Sequence, residues 1–207
     1  MMTTMMHTSP KVLKTISRFL LLGALMSGAL SAQAAIISYT ASLSPEALGA
    51  TGSGSVEVTY DSIAHTIVID ADWTGLSATT TVAHIHCCTV TAGTGTVGVA
   101  VTPTTLPGFP AGVTAGSYLS PALDLTNPAT FTTGFITNFA GGNAANAETA
   151  LIAGFDDGKA YFNIHTTAFP AGEIRGFLQR STVPEPGSLA LLGIGLAGFA
   201  ASRRRKS

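Results

Sequence analysis

The chain reads as a mainly β protein, an antiparallel sandwich or Greek-key barrel with a short two-helix insert. An N-terminal signal helix and a C-terminal apolar helix flank it. Three observations carry that reading. Thr and Gly are abundant, at 29 and 23 of 207 residues, which favours strands and turns over long helices. Apolar residues recur at every second position over several short stretches, the period of a half-buried strand. Turn residues interrupt these stretches roughly every 8–12 residues through the first half, as sandwiches require. Disorder is excluded by 46% hydrophobic content at a net charge of −1.

Residues 36–43 open the domain as its first strand. Residues 54–61 alternate Val56, Val58 and Tyr60 with Ser55, Glu57 and Thr59, and residues 65–72 repeat the pattern with Ile67 and Ile69. Asp61-Ser62-Ile63-Ala64 is a compact connection, so the two stretches predict a hairpin. Residues 81–86, 116–125, 159–165 and 173–179 are the further strands. Trp73, the only tryptophan, sits beside Gly75, where its ring closes one end of the sandwich.

The helical insert spans about 128–153. Asn127-Pro128 predicts an N-cap with proline at the first helical position. Phe131, Phe135, Ile136 and Phe139 then share a helical face that covers an edge of the sandwich, and Ala-rich residues 144–153 predict a second helix. Gly93-Thr94-Gly95 and Asp156-Asp157-Gly158 read as turns, and Asp70 and Asp72 as a solvated strand face.

Both ends read as addresses. Lys11, Lys14 and Arg18 precede an apolar run at 19–30, and Ser31-Ala32-Gln33-Ala34 has the Ala-x-Ala arrangement that signal peptidase accepts. Residues 1–34 are therefore a signal peptide cleaved after Ala34. Val183-Pro184-Glu185-Pro186-Gly187 is non-helical punctuation before an uncharged run at 189–201 and the basic cluster Arg203, Arg204, Arg205 and Lys206. A helix over 188–202 is about 23 Å long at 1.5 Å per residue. The hydrocarbon core is about 30 Å thick, so this helix suits transient anchoring in the inner membrane. The chain thus divides into 1–34, a body at 35–182 and a sorting segment at 183–207. The body holds three bases against ten acids, a net −7, which excludes nucleic acid as a partner.

The Val-Pro-Glu-Pro sequence, apolar helix and Arg-rich end together resemble a PEP-CTERM sorting signal of Gram-negative bacteria. The resemblance implies recognition by an exosortase, cleavage near Pro184-Glu185-Pro186, and delivery to the cell surface, outer envelope or extracellular matrix. It also associates the protein with extracellular polysaccharide. A second resemblance covers nearly all of 37–180. Tyr39-Thr40-Ala41-Ser42-Leu43, Gly52-Ser53-Gly54, Trp73-Thr74-Gly75-Leu76, Ala83-His84-Ile85-His86, Tyr161-Phe162-Asn163-Ile164-His165-Thr166 and Pro170-Ala171-Gly172-Glu173-Ile174-Arg175-Gly176 look like the CHRD domain. That family implies a β-rich exported module. Many members continue with Gly-Pro after the second histidine, where this chain has Cys87-Cys88.

Chemistry concentrates in the histidines and cysteines. His84 and His86 share a strand face, and so do Tyr161, Asn163 and His165. If Ile85 and Ile164 are core, all three histidines lie on the outer face. The loop 166–172 then sets Glu173 opposite His165 and Arg175 opposite Asn163. His84, His86 and His165 are candidate ligands for copper or zinc, and neighbouring thiolates would favour Cu(I) or Zn. The His-x-His strand is similar, in fold and spacing, to the copper site of Cu/Zn superoxide dismutases. Against this stands a purely structural duty, with Asn163, Glu173 and Arg175 hydrogen-bonding the imidazoles. Cys87 and Cys88 are the only cysteines, so an intramolecular bridge joins these neighbours; thiols on a metal and bridges between chains remain open.

No nucleophile elbow and no phosphate-cradling loop is present, and no catalytic residue is assigned. The leading expectation is a surface or matrix module without enzymatic activity and without a required cofactor. The alternative is a copper or zinc metalloprotein, binding or redox, on the strand histidines.

Overall fold

The computed structural model describes residues 36–181. The expected signal peptide with Ala34, the sorting residues Pro184, Glu185, Pro186, Arg203, Arg204 and Arg205, and both terminal helices lie outside the described residues.

Ten strands form one antiparallel, curled sheet: β1 (Ile36–Pro45), β2 (Ser53–Asp61), β3 (Thr66–Thr74), β4 (Thr80–His86), β5 (Val99–Val101), β6 (Gly116–Leu119), β7 (Leu123–Asp124), β8 (Tyr161–Thr166), β9 (Ile174–Phe177) and β10 (Gln179–Arg180). The spatial order is β5-β4-β8-β9-β1-β2-β3-β6, with β10 on β1 and β7 on β3. β1 produces the curl. Its residues 36–43 pair with β2, while Ser44 and Pro45 pair with β9, so one strand serves both halves. The halves then enclose one core, with Tyr39, Val58, Ile67 and Ile69 from one side and Ala83, Ile85, Phe162 and Ile164 from the other.

The alternating stretches form the expected β2–β3 hairpin, paired from Ser53↔Thr74 to Asp61↔Thr66. Asp61 closes it, its carboxylate accepting the Ile63 and Ala64 N–H groups at 2.9 Å each. Trp73 is buried and stacks on Phe109 with ring centroids 5.2 Å apart.

Several boundaries move, each for a physical reason. The strand expected at 116–125 splits into β6 and β7 around Ser120-Pro121, where proline offers no N–H and the Ser120 hydroxyl instead accepts from the Ile69 N–H at 2.8 Å. Residues 173–179 divide into β9 and β10. Asn127 caps only a 3₁₀ turn at Pro128–Thr130. Phe131 is then held extended by a bridge to Val101, so the first helix, α1 (Thr133–Phe139), starts later under a Thr132 cap. The stripe is core at Phe131 and Phe135, but Phe139 reaches solvent. The second helix, α2 (Ala147–Asp156), follows a 3₁₀ turn. Asp156-Asp157-Gly158 forms the expected turn at its C-terminus, and Gly158 takes the positive φ of +64° that ends it.

A candidate metal site of three histidines

From Ala83 onward the side chains of β4 point alternately to its two faces. Ala83 and Ile85 enter the core, which sends His84 and His86 to the opposite face. β4 pairs with β8 in the register His84↔Asn163 and His86↔Tyr161, so His165 lies one step diagonal to His84 on that same face. The face is not open to solvent as the strand pattern implied. His84, His86 and His165 are only 7%, 8% and 8% exposed, because the segments following β4, β5 and β8 fold over them.

Those covering segments meet each ring with a backbone carbonyl. His84 Nε2 lies 2.8 Å from the Thr104 carbonyl, His86 Nδ1 2.7 Å from Val97, and His165 Nδ1 2.9 Å from Pro170. A carbonyl only accepts, so each of these nitrogens carries the hydrogen, and the tautomer of every ring follows. The remaining nitrogens are His84 Nδ1, His86 Nε2 and His165 Nε2, each with a bare lone pair. One ring nitrogen from each of the three histidines lies within 4.8 Å of the others'. His84 Nδ1 and His165 Nε2 are 3.1 Å apart, two acceptors facing each other, and His86 Nε2 is buried with no partner. Burial also disfavours the imidazolium form: it pushes His84 down and His86 down to about 4, against the opposing pull of their carbonyl partners. Rings with convergent inner nitrogens and outer N–H groups tied to carbonyls are the arrangement metal-binding histidines adopt.

Around them, the Tyr161 ring stacks on His86 at 4.7 Å and 4°. The Arg175 guanidinium lies over the Tyr161 ring at 5.2 Å and donates to the Gly95 carbonyl at 2.9 Å. Its Nε is 3.5 Å from Glu46, whose other oxygen accepts from Asn163 Nδ2 at 3.2 Å. Arg175 does stand opposite Asn163 in the ladder. Neither it nor Glu173 bonds an imidazole. Glu173 turns away, its carboxylate accepting from the Ser77 N–H and hydroxyl at 2.6 and 2.7 Å and from the Thr166 hydroxyl at 2.6 Å. Those bonds hold it below the usual carboxylate range although burial alone would raise it.

Cys87 and Cys88 form a vicinal disulfide. Cys87 continues the core-facing set of β4, and a Cβ at Gly154 of α2 would strike both sulfurs. The bridge therefore packs under α2 and supplies no thiolate to the histidines.

Sequence reading missed Glu46 and the three covering carbonyls. The carbonyls belong to irregular segments, and Glu46 is 117 residues from Asn163, so no spacing announces either. One local signal existed in the Pro170-Ala171-Gly172 turn. Gly172 has φ +128°, and a side chain there would collide with the Glu46 carboxylate.

A family model described as the CHRD domain matches residues 39–178, and one described as the PEP-CTERM protein-sorting motif matches 182–205. No curated protein and no solved structure matches the chain.

Proposed function

The chain belongs to the CHRD-domain family and carries a PEP-CTERM sorting motif, and from that premise we propose that its exported body is a metal-binding module holding copper or zinc on His84, His86 and His165. The sorting motif makes the chain an exosortase-targeted protein exported to the cell envelope of a Gram-negative bacterium. Cleavage by signal peptidase after Ala34, display at the surface or in the matrix, and proximity to extracellular polysaccharide are our finer reading of that address.

One observation carries the metal reading: a nitrogen from each of three buried imidazoles converges within 4.8 Å, while the hydrogen of each ring is engaged by a carbonyl. Histidines that merely bridge strands would aim those nitrogens at donors, since an unmet buried acceptor costs about 1–3 kcal/mol. A cation meets all three at once, and imidazole suits copper and zinc. The near-complete burial of the rings supports a binding role over turnover of a large substrate.

The test is the metal content of the mature protein, purified without a His tag from cells grown with Cu and Zn, and its melting temperature on addition of either ion. We expect about one ion per chain and a rise in melting temperature that His84→Ala and His165→Ala each abolish. A metal-free product whose melting temperature ignores both ions overturns the reading. A shift that survives both substitutions but vanishes in Cys87→Ser/Cys88→Ser places the metal on reduced thiols instead.

A further inference from the structure

Resting on the three-histidine reading, we propose that Asn163 Oδ1 is the fourth donor of the site, and that Glu46 is the positioning residue that aims it. Asn163 is 1% exposed. It stands opposite His84 in the β4–β8 ladder and two residues before His165, on the face that carries the three rings.

An amide can face either way, so what fixes this one matters. Glu46 Oε1 lies 3.2 Å from Nδ2, and a carboxylate accepts hydrogen bonds without donating any. The NH₂ end must therefore face Glu46, and the oxygen is turned toward the imidazoles. Glu46 is itself held: Arg175 Nε stands 3.5 Å from Oε2, and Gly172 leaves the space that its carboxylate occupies. Asn163 Oδ1 is then buried without a partner, as is His86 Nε2. Both are acceptors, and His86 has already given its one hydrogen to the Val97 carbonyl. Moving that hydrogen to Nε2 would leave His86 Nδ1 facing the Val97 carbonyl with nothing to donate, whereas a cation meets both acceptors and keeps that bond.

The resulting set is three imidazole nitrogens and one amide oxygen. A carbonyl oxygen is a hard donor, while Cu(I) prefers soft ligands. Four donors also complete the coordination that Zn(II) takes in closed structural sites. The ligand class is thus a four-coordinate divalent ion, Zn(II) or Cu(II), with the Glu46 carboxylate behind the amide to offset part of its charge.

The experiment uses the mature protein stripped with a chelator. Zn(II) affinity is measured by competition, Cu(I) affinity under anaerobic conditions, and donor identity by the visible spectrum of bound Co(II). Asn163→Leu keeps the volume and removes the oxygen. It should weaken Zn(II) by about 10–100-fold, alter the Co(II) spectrum, and change Cu(I) affinity by less than about 3-fold. Glu46→Leu should weaken Zn(II) by about 10-fold, and its Co(II) spectrum should shift the same way as the amide turns. Asn163→Asp retains an oxygen donor, so Zn(II) affinity should hold or rise while the Co(II) spectrum changes. Should Asn163→Leu fail to fold, Asn163→Asp decides: an unaltered Co(II) spectrum, or loss of Zn(II) binding, overturns the proposal. An unchanged Zn(II) affinity in folded Asn163→Leu, with binding lost in His86→Ala, sinks the fourth donor and leaves the three-histidine site standing. Zn(II) binding undiminished in His86→Ala removes the three-histidine site and this proposal with it.

Discussion

A buried neutral histidine is an acid-labile part of any fold. Burial holds His86 near a pKa of about 4, while the unfolded chain has the ordinary value of about 6.5. Between these values the unfolded state binds the proton and the folded state refuses it. Stability of the metal-free protein must then fall as pH drops from about 6.5 to about 4, by about 3 kcal/mol from this residue alone. His84 is displaced in the same direction and adds to the loss. The groups around His86 are His84, His165, Tyr161 and Asn163, with the charges of Glu46 and Arg175 one layer back. Glu173 acts in a separate, lower window: its folded pKa is depressed, so its contribution is lost as pH falls through that depressed value. Urea unfolding at pH 7.5 and pH 4.5 in the presence of chelator measures the difference, and His86→Leu should remove most of its share. Equal stability of the parent protein at both pH values would show that the rings are not held neutral by burial. The positions of these residues were legible, because strand alternation alone puts His84, His86 and His165 on one face once Ile85 and Ile164 are core. Their burial was not, since it depends on irregular segments whose backbone carries the hydrogen bonds and whose side chains advertise nothing.

Elements were legible in proportion to their length and regularity. The β2–β3 hairpin has nine-residue strands in which Val56, Val58 and Tyr60 and then Ile67, Ile69, Ala71 and Trp73 fall at every second position, and its pairing follows. β5 has three residues, too few to show a period, and it exists because it completes the edge beside β4. α1 shows the limit of local signals: Asn127-Pro128 is a sound helix start by itself, but the Phe131–Val101 bridge takes the next residues into extended backbone. α2 carries a packing relation that composition hides. Gly154 lies in the last turn of the helix, where alanine is ordinarily better by up to about 1 kcal/mol. Here a Cβ would meet the sulfurs of Cys87 and Cys88, so the sign reverses. Gly154→Ala should destabilise the oxidised protein by about 1–3 kcal/mol, the usual range for overpacking a filled core. The same change in a Cys87→Ala/Cys88→Ala background should be neutral or stabilising, and a double-mutant cycle of melting free energies reads the coupling. Additive effects would show that α2 stands clear of the bridge. On β3, Trp73 stacks on Phe109 and its ring lies against Gly116. Trp73→Ala should therefore cost about 3–5 kcal/mol in thermal unfolding.

At the scale of the whole chain, the body and its addresses are separable by design of the sheet. β10 lies antiparallel to β1 with Tyr39↔Arg180 and Thr40↔Gln179, and the Ser181 N–H donates to the Ser38 carbonyl at 2.8 Å. The chain thus leaves the domain beside the point where it entered, and the sorting motif begins at residue 182, just beyond that pairing. The candidate metal residues run from His84 to His165, with Glu46 and Arg175 behind them, all inside the matched domain at 39–178. Removing either end therefore deletes no core residue and no candidate donor. Two outcomes follow for the native product. Intact mass spectrometry should find a species lacking residues 1–34 and the C-terminal apolar run, and a steady-state species retaining Met1 or Lys206 would contradict this. Changing Pro184, Glu185 and Pro186 to alanine should hold the protein in the membrane fraction. That retained form should bind Zn(II) within about 3-fold of the released one, because none of the proposed donors is among the removed residues. A retained form unable to bind metal would mean that processing, and not folding alone, completes the site.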